Sequence, residues 1–171
     1  MKITLVMVMT IDGKIAHNEH QFVNWSSKED KRSFYAATKQ AGAIIMGHHT
    51  FDTFPEPLPG RLHIVITSTT EGKTNTPGQV EYTSQSPEEI AAGLDARGYK
   101  EAVLAGGAQV NALFLKANLV DEIQLTVEPL IFGSGIDLVR GADLDVRASL
   151  ISMEKLNESG SIQLRYSIDR G

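Results

Sequence analysis

Three short apolar runs, Ala43-Ile-Ile-Met46, Ile64-Val-Ile66 and Ala102-Val-Leu104, show no alternation of polar and apolar residues. Runs this short and continuous suit central strands of a sheet that is covered on both faces. Around them, strand-like segments at 3–9, 43–46, 63–67, 80–83, 102–105 and 121–128 alternate with helix-like segments at 27–41, 87–97 and 108–117. That is the rhythm of an α/β fold, a mixed and mostly parallel sheet flanked by helices. The end of the chain differs. Segments 148–156 and 161–168 flank Asn157-Glu-Ser-Gly160 and read as an antiparallel hairpin closing one edge of the sheet. No repeat, low-complexity tract or linker interrupts the pattern, so the expectation is a single domain over residues 1–171.

Composition removes several function classes. Cysteine is absent, which excludes thiol catalysis, thiolate metal sites and a disulfide scaffold. The net charge is −5 and the 16 basic residues are scattered without interleaved aromatics, which argues against a nucleic-acid partner. The opening MKITLVMVMTIDG alternates like a strand and lacks a small-residue cleavage site, so it reads as the first strand and not as a leader. No apolar run approaches the roughly 18 to 20 residues of a membrane helix. The expectation is a soluble, cytoplasmic protein with no membrane partner that acts on a small molecule.

The segment Val23 to Tyr35, VNWSSKEDKRSFY, opens the first helix. Ser26 or Ser27 can cap it, and Ser26-x-x-Glu29 has capping-box spacing, which gives Glu29 a structural explanation. Asp30 is different, because residues 30, 34, 37 and 41 (Asp, Phe, Ala, Ala) share one helical stripe. It sits on the face that Phe34 buries, where a carboxylate is costly to ionise unless it finds a donor. This segment alone leaves two readings open: a first-turn charge favoured by the helix dipole, or a buried acid that does chemistry.

Two strand-glycine-helix junctions follow. Met46-Gly-His-His-Thr50 and Leu104-Ala-Gly-Gly-Ala-Gln109 each set backbone N–H groups at a helix start, a place for a phosphate or pyrophosphate. Neither has the full GxGxxG pattern, but two such junctions in one α/β chain favour a nucleotide. His48 and His49 have no carboxylate or further histidine at ligand spacing, so no metal is expected. Arg61 follows the rigid turn Pro57-Leu-Pro-Gly60 and reads from these residues as a surface arginine, while Thr126 alternates with apolar neighbours and points inward.

Taken together, these residues resemble the dihydrofolate reductase superfamily, which includes the reductase domain of riboflavin biosynthesis. Ile11-Asp-Gly-Lys-Ile-Ala16, Trp25 followed by Asp30 and Phe34, Ala43 to Phe51 and Leu58-Pro-Gly-Arg61 are similar to dihydrofolate reductase proper. Gly106-Gly-Ala-Gln-Val-Asn111, Leu119-Val-Asp-Glu122 and Pro129-Leu-Ile-Phe-Gly-Ser-Gly135 are similar to the riboflavin-pathway reductases. The resemblance implies a dihydrofolate reductase-like fold and NADPH-dependent reduction of 7,8-dihydrofolate to tetrahydrofolate. Reduction of a ribosylamino-pyrimidine phosphate and a non-catalytic nucleotide- or pterin-binding module are the alternatives. Asp30 would be the catalytic acid, binding the pterin amidine edge with support from Thr126. Trp25 and Phe34 would line the substrate site, and Arg61 would hold a carboxylate of the folate tail. Gly47, His48, His49, Thr50, Ser68, Gly106, Gly107, Ala108 and Gln109 would line the NADPH site, with Ile15 and Ala16 at its nicotinamide end. His48 stands where an arginine is often found. The two resemblances imply different assemblies, a monomer and a homodimer.

Overall fold

The computed structural model describes residues 1–169. In chain order it contains β1 (Lys2–Thr10), β2 (Lys14–Ala16), α1 (Lys28–Ala41), β3 (Ala43–Gly47), α2 (His48–Asp52), β4 (Leu62–Ile66) and β5 (Val80–Thr83). Next come α3 (Pro87–Ala96), β6 (Glu101–Leu104), α4 (Ala108–Lys116), β7 (Glu122–Glu128), β8 (Ile136–Asp137), β9 (Ala148–Lys155) and β10 (Ile162–Ile168). Eight strands form one sheet in the order β5-β4-β3-β6-β1-β7-β10-β9. The pairs from β5 to β7 are parallel, whereas β10 runs antiparallel to both β7 and β9. The expected terminal hairpin therefore does close one edge. Residues 14–16 and 136–137, read in the sequence as connections, instead pair as a separate two-stranded ladder.

Alternation along the central strands divides the core into two layers. Ile3, Leu5, Ile45, Leu104 and Phe114 belong to the layer under α3 and α4. Val6, Ile44, Met46 and Val103 face the other way, against Phe34, Ala37 and Ala41 of α1 and against Phe51, Phe54 and Leu58. Both faces are covered here, which is why these strands read as unbroken apolar runs. Gly42 ends α1 in the left-handed region (φ 74°), returning its N–H to Thr38 and turning the chain at once into β3. No helix among the described residues is long and apolar enough to cross a membrane.

Arg61 corrects the surface reading, since its side chain is only 2% exposed. Its Nε donates to Thr38 Oγ1 at 3.0 Å, while its two terminal nitrogens donate to Pro59 O at 2.5 Å and Tyr35 O at 2.9 Å. The guanidinium also lies 4.0 Å from the centre of the Tyr35 ring. A turn of α1 is thereby fastened to the segment that leads into β4. Arg61→Ala removes the donors of two carbonyls and leaves a void, so it is expected to cost about 2–4 kcal/mol of stability, measured by urea unfolding.

Candidate active site

The carboxyl ends of β3 and β6 lie side by side, and this adjacency brings the two glycine junctions into contact. Gly47 N–H donates to Gly106 O at 2.8 Å, and the Gly106–Gly107 peptide is cis. A Cβ on Gly47 would lie 3.2 Å from Val110 Cγ2, and one on Gly107 would lie 3.3 Å from Thr50 Oγ1. Gly106 has φ +86°, with the Met7 side chain against it. Glycine is thus required by close approach as well as by backbone angle. Gly47, Thr50, Gly106, Gly107 and Ala108 come together as one cradle of backbone at two helix starts, which fits the phosphates of a dinucleotide. The His48 and His49 rings are 4.0 Å apart beside it, and His20 meets His49 edge-on at 5.7 Å. Gln109 is exposed on α4, and Ser68 is exposed just beyond β4. No group of three or more His, Cys, Asp or Glu able to hold a metal ion occurs among the described residues.

Residues 11–17 form a strap across this end of the sheet, and residues 130–137 hold it. Asp12 is the clasp: it accepts from Thr10 Oγ1 at 2.5 Å, Phe132 N at 3.1 Å and Gly133 N at 2.7 Å. The Thr10 hydroxyl, with help from those N–H groups, holds its carboxyl down to about 2. His17 stacks on Phe132 at 3.8 Å, and Trp25 meets the same ring edge-on at 5.2 Å. Ile15 and Ala16 are buried in β2, which pairs with β8. A Cβ on Gly135 would approach Ala16 O to 2.3 Å, so this crossing also demands glycine.

Asp30 lies at the first turn of α1 and is 9% exposed. Burial pushes its carboxyl above the usual range; the Thr126 and Ser26 hydroxyls and Lys31 oppose that shift, and Glu128 adds to it. Thr126 is itself 2% exposed and so reaches the acid as an inward residue of β7. The cap differs from one sequence alternative. Ser27, not Ser26, accepts from Asp30 N at 3.2 Å, which puts Glu29 outside the capping box. Glu29 instead accepts from Asn157 Nδ2 at 3.1 Å, in the turn between β9 and β10. Phe34 is half-buried next to Asp30 on the same stripe, with its ring 6.5 Å from that of Phe54. Trp25 is half-buried, and its Nε1 has no hydrogen-bond partner among the described residues.

Sequence reasoning missed Glu128. It is 3% exposed and accepts from Ser27 N at 2.8 Å and Ser161 Oγ at 2.5 Å. The available signal was its two-residue spacing from Thr126, which in a strand puts both side chains on one face. Arg61 stands apart from this group. All three of its nitrogens donate within the chain, and its side chain is buried.

The RibD C-terminal domain model matches residues 1–160. Dihydrofolate reductase type 9 of Escherichia coli is 34% identical over 107 residues, which cover 61% of this chain and 58% of that protein. The dihydrofolate reductase of Enterococcus faecalis, solved with NADP(H) and RAB-propyl, superposes with a TM-score of 0.74 at 21% identity, covering 99% of this chain and 97% of that one. The Thermotoga maritima diaminohydroxyphosphoribosylaminopyrimidine deaminase/5-amino-6-(5-phosphoribosylamino)uracil reductase gives 0.78 at 16% identity, covering 98% of this chain and 56% of that one.

The strap offers a direct test of the site's construction. Gly135→Ala forces a Cβ onto Ala16 O in a backbone region that L-residues avoid, a strain of about 1–3 kcal/mol. The expected result is faster amide exchange at Lys14 to Ala16, with exchange in β3 and β6 unchanged. Hydrogen-exchange mass spectrometry reads both.

Proposed function

The chain belongs to the RibD C-terminal domain family, within the dihydrofolate reductase superfamily, and on that premise we propose that it reduces 7,8-dihydrofolate to tetrahydrofolate with NADPH. The observation that carries this reading is the Asp30 carboxyl, buried beside an inward Thr126 hydroxyl and titrating above its usual range. A pterin presents a 2-amino group and a ring N–H, and a carboxyl group matches that donor-rich edge. The cofactor, when bound, supplies the hydride. Gly47, Thr50, Gly106, Gly107 and Ala108 would hold its phosphates, with His48, His49, Gln109 and Ser68 around them, while Ile15 and Ala16 would keep water from the nicotinamide end. Phe34 and Trp25 would sandwich the substrate ring. Asp30 would bind the amidine edge and favour a proton on the ring nitrogen that the hydride transfer needs. Arg61, buried and tied to Thr38, Pro59 and Tyr35, would have to be uncovered to hold a folate carboxylate.

A second reading, reduction of a phosphoribosylamino-uracil, draws on the family match and on the Thermotoga maritima structure. Asp30 weighs against it. A uracil carries a carbonyl oxygen where the pterin carries its amino group, so it offers the carboxyl group one donor fewer to accept from. The ribose phosphate would also need cations. On the first turns of α1 these are Lys28, Lys31 and Arg32, all exposed, and Lys31 already donates to Ser26 O at 3.1 Å.

NADPH oxidation followed at its absorbance band, with dihydrofolate and the phosphoribosylamino-uracil in parallel, separates the readings; turnover of the uracil alone would overturn the first. Asp30→Asn is expected to lower kcat with dihydrofolate by about 10²–10⁴ and to leave NADPH affinity unchanged. Because the raised carboxyl must carry its proton, the wild-type rate falls as pH rises through the apparent pKa. In the asparagine variant, activity recovers on acidification. Linkage has the same sign: folding favours protonated Asp30, and stability is lost as pH rises through its folded value. Asp30→Asn therefore raises Tm at neutral pH.

A further inference from the structure

Glu128 is a buried carboxylate with no cationic partner among the described residues, an expensive group to keep, and it accepts a hydrogen bond on each of its two oxygens. Its surroundings are built. Ser161, 1% exposed, donates from Oγ to Glu128 and is itself held by Asn157, which donates to Ser161 Oγ at 3.0 Å and accepts from Ser161 N at 3.1 Å. The same Asn157 side chain donates to Glu29. Starting at the end of β7, the chain of contacts passes through the turn of the last hairpin and returns to α1. The first turn of the helix is thus gripped at Ser27 N–H and at the Glu29 carboxylate, both just ahead of Asp30 in the chain. Asp30 N–H in turn hangs on Ser27 Oγ.

We propose that Glu128 is a positioning residue for the reduction, fixing the first turn of α1 against β7 and setting a second negative charge behind Asp30. This inference rests on the reductase reading and names what prepares its acid. Two carboxyl groups in one water-poor pocket do not both ionise readily. Ser27 and Ser161 give their donors to Glu128, while burial raises the Asp30 carboxyl and Glu128 adds to that shift. The charged groups whose fields reach Asp30 are Glu128 from β7 and Lys31 from its own helix; Glu29 is turned to Asn157 and Asp12 to the 132–133 loop. From β7 and the pre-helix segment the hydroxyls of Thr126 and Ser26 face it, and Ser161 at the start of β10 faces Glu128.

Glu128→Gln keeps the shape and the acceptor for Ser27 N–H while removing the charge. It is expected to move the pH at which kcat/KM for dihydrofolate falls to a lower value, to lower kcat about tenfold, and to leave KM for NADPH unchanged. Carbon-13 NMR of labelled aspartate carboxyls, with Asp30→Asn to assign the signal, is expected to show Asp30 titrating at lower pH in the same variant. This second readout needs no turnover, so failure of the reductase reading and failure of this inference are distinguishable. Ser161→Ala loosens the same anchor from outside α1 and is expected to lower kcat about tenfold at constant KM for NADPH, a misplacement effect within the known range for displaced catalytic groups. A wild-type Asp30 titration and pH profile in Glu128→Gln would overturn the proposal. A Glu128→Gln chain that does not fold leaves the decision to Ser161→Ala, where wild-type kcat would overturn it as well.

Discussion

Removing a carboxyl group from water without a cation to meet it is the costly step in this molecule, and the substrate side of the crevice is organised around that cost. Asp30 and Glu128 are both nine-tenths or more buried. Neither has a salt bridge among the described residues, so hydroxyl and backbone donors do the compensating. Each donor has to be placed by a different part of the chain: Ser27 by the entry to α1, Thr126 by β7 and Ser161 by the last hairpin. The terminal strands, which add only an edge to the sheet, are therefore part of the site. They bring Ser161 and Asn157 to the first turn of a helix more than a hundred residues earlier in the chain.

The pair of glycine junctions obeys a steric constraint in place of an electrostatic one. β3 and β6 are hydrogen-bonded neighbours, and their exits must share space with α2, α4 and the Met7 side chain. Glycine at 47, 106 and 107 meets that demand and leaves backbone N–H groups facing outward at two helix starts. Between the two halves runs the strap of residues 11–17. Asp12 fixes it through donors that keep its carboxyl ionised down to about 2, and the β2–β8 ladder fixes it again. The nicotinamide end would thus be walled by ordered backbone, which suits exclusion of water from a hydride transfer.

Much of this was legible in the residues. Continuous apolar runs at 43–46, 64–66 and 102–104 became central strands because both faces of the sheet are covered, and the stripe Asp30-Phe34-Ala37-Ala41 became the inner face of α1. What failed to show depended on partners distant in sequence. β2 and β8 are three and two residues long, too short for a period, and exist because they pair with each other across about 120 residues. Ser26 and Ser27 are equivalent by spacing, and the choice falls to Ser27 because its N–H has Glu128 waiting. Glu29 has an ideal capping-box position yet turns to Asn157. Arg61 looks like a surface residue after a proline turn until Tyr35 and Thr38, one helical turn apart on α1, close over its guanidinium.

The sequence divides into a first half similar to dihydrofolate reductases and a second half similar to the riboflavin-pathway enzymes, and the fold does not respect that division. Asp30 comes from the first half; Thr126, Glu128 and Ser161, the groups that set its proton and its position, come from the second. On the proposed reading, substrate choice would be set at the α1–β7 junction, where the two halves meet, and not by either half. A carboxyl group there accepts from a ring edge with two N–H donors. Glu128, two residues along the strand from Thr126, would act on that choice through Asp30, because it anchors the first turn of α1 and adds to the upward shift of the Asp30 carboxyl.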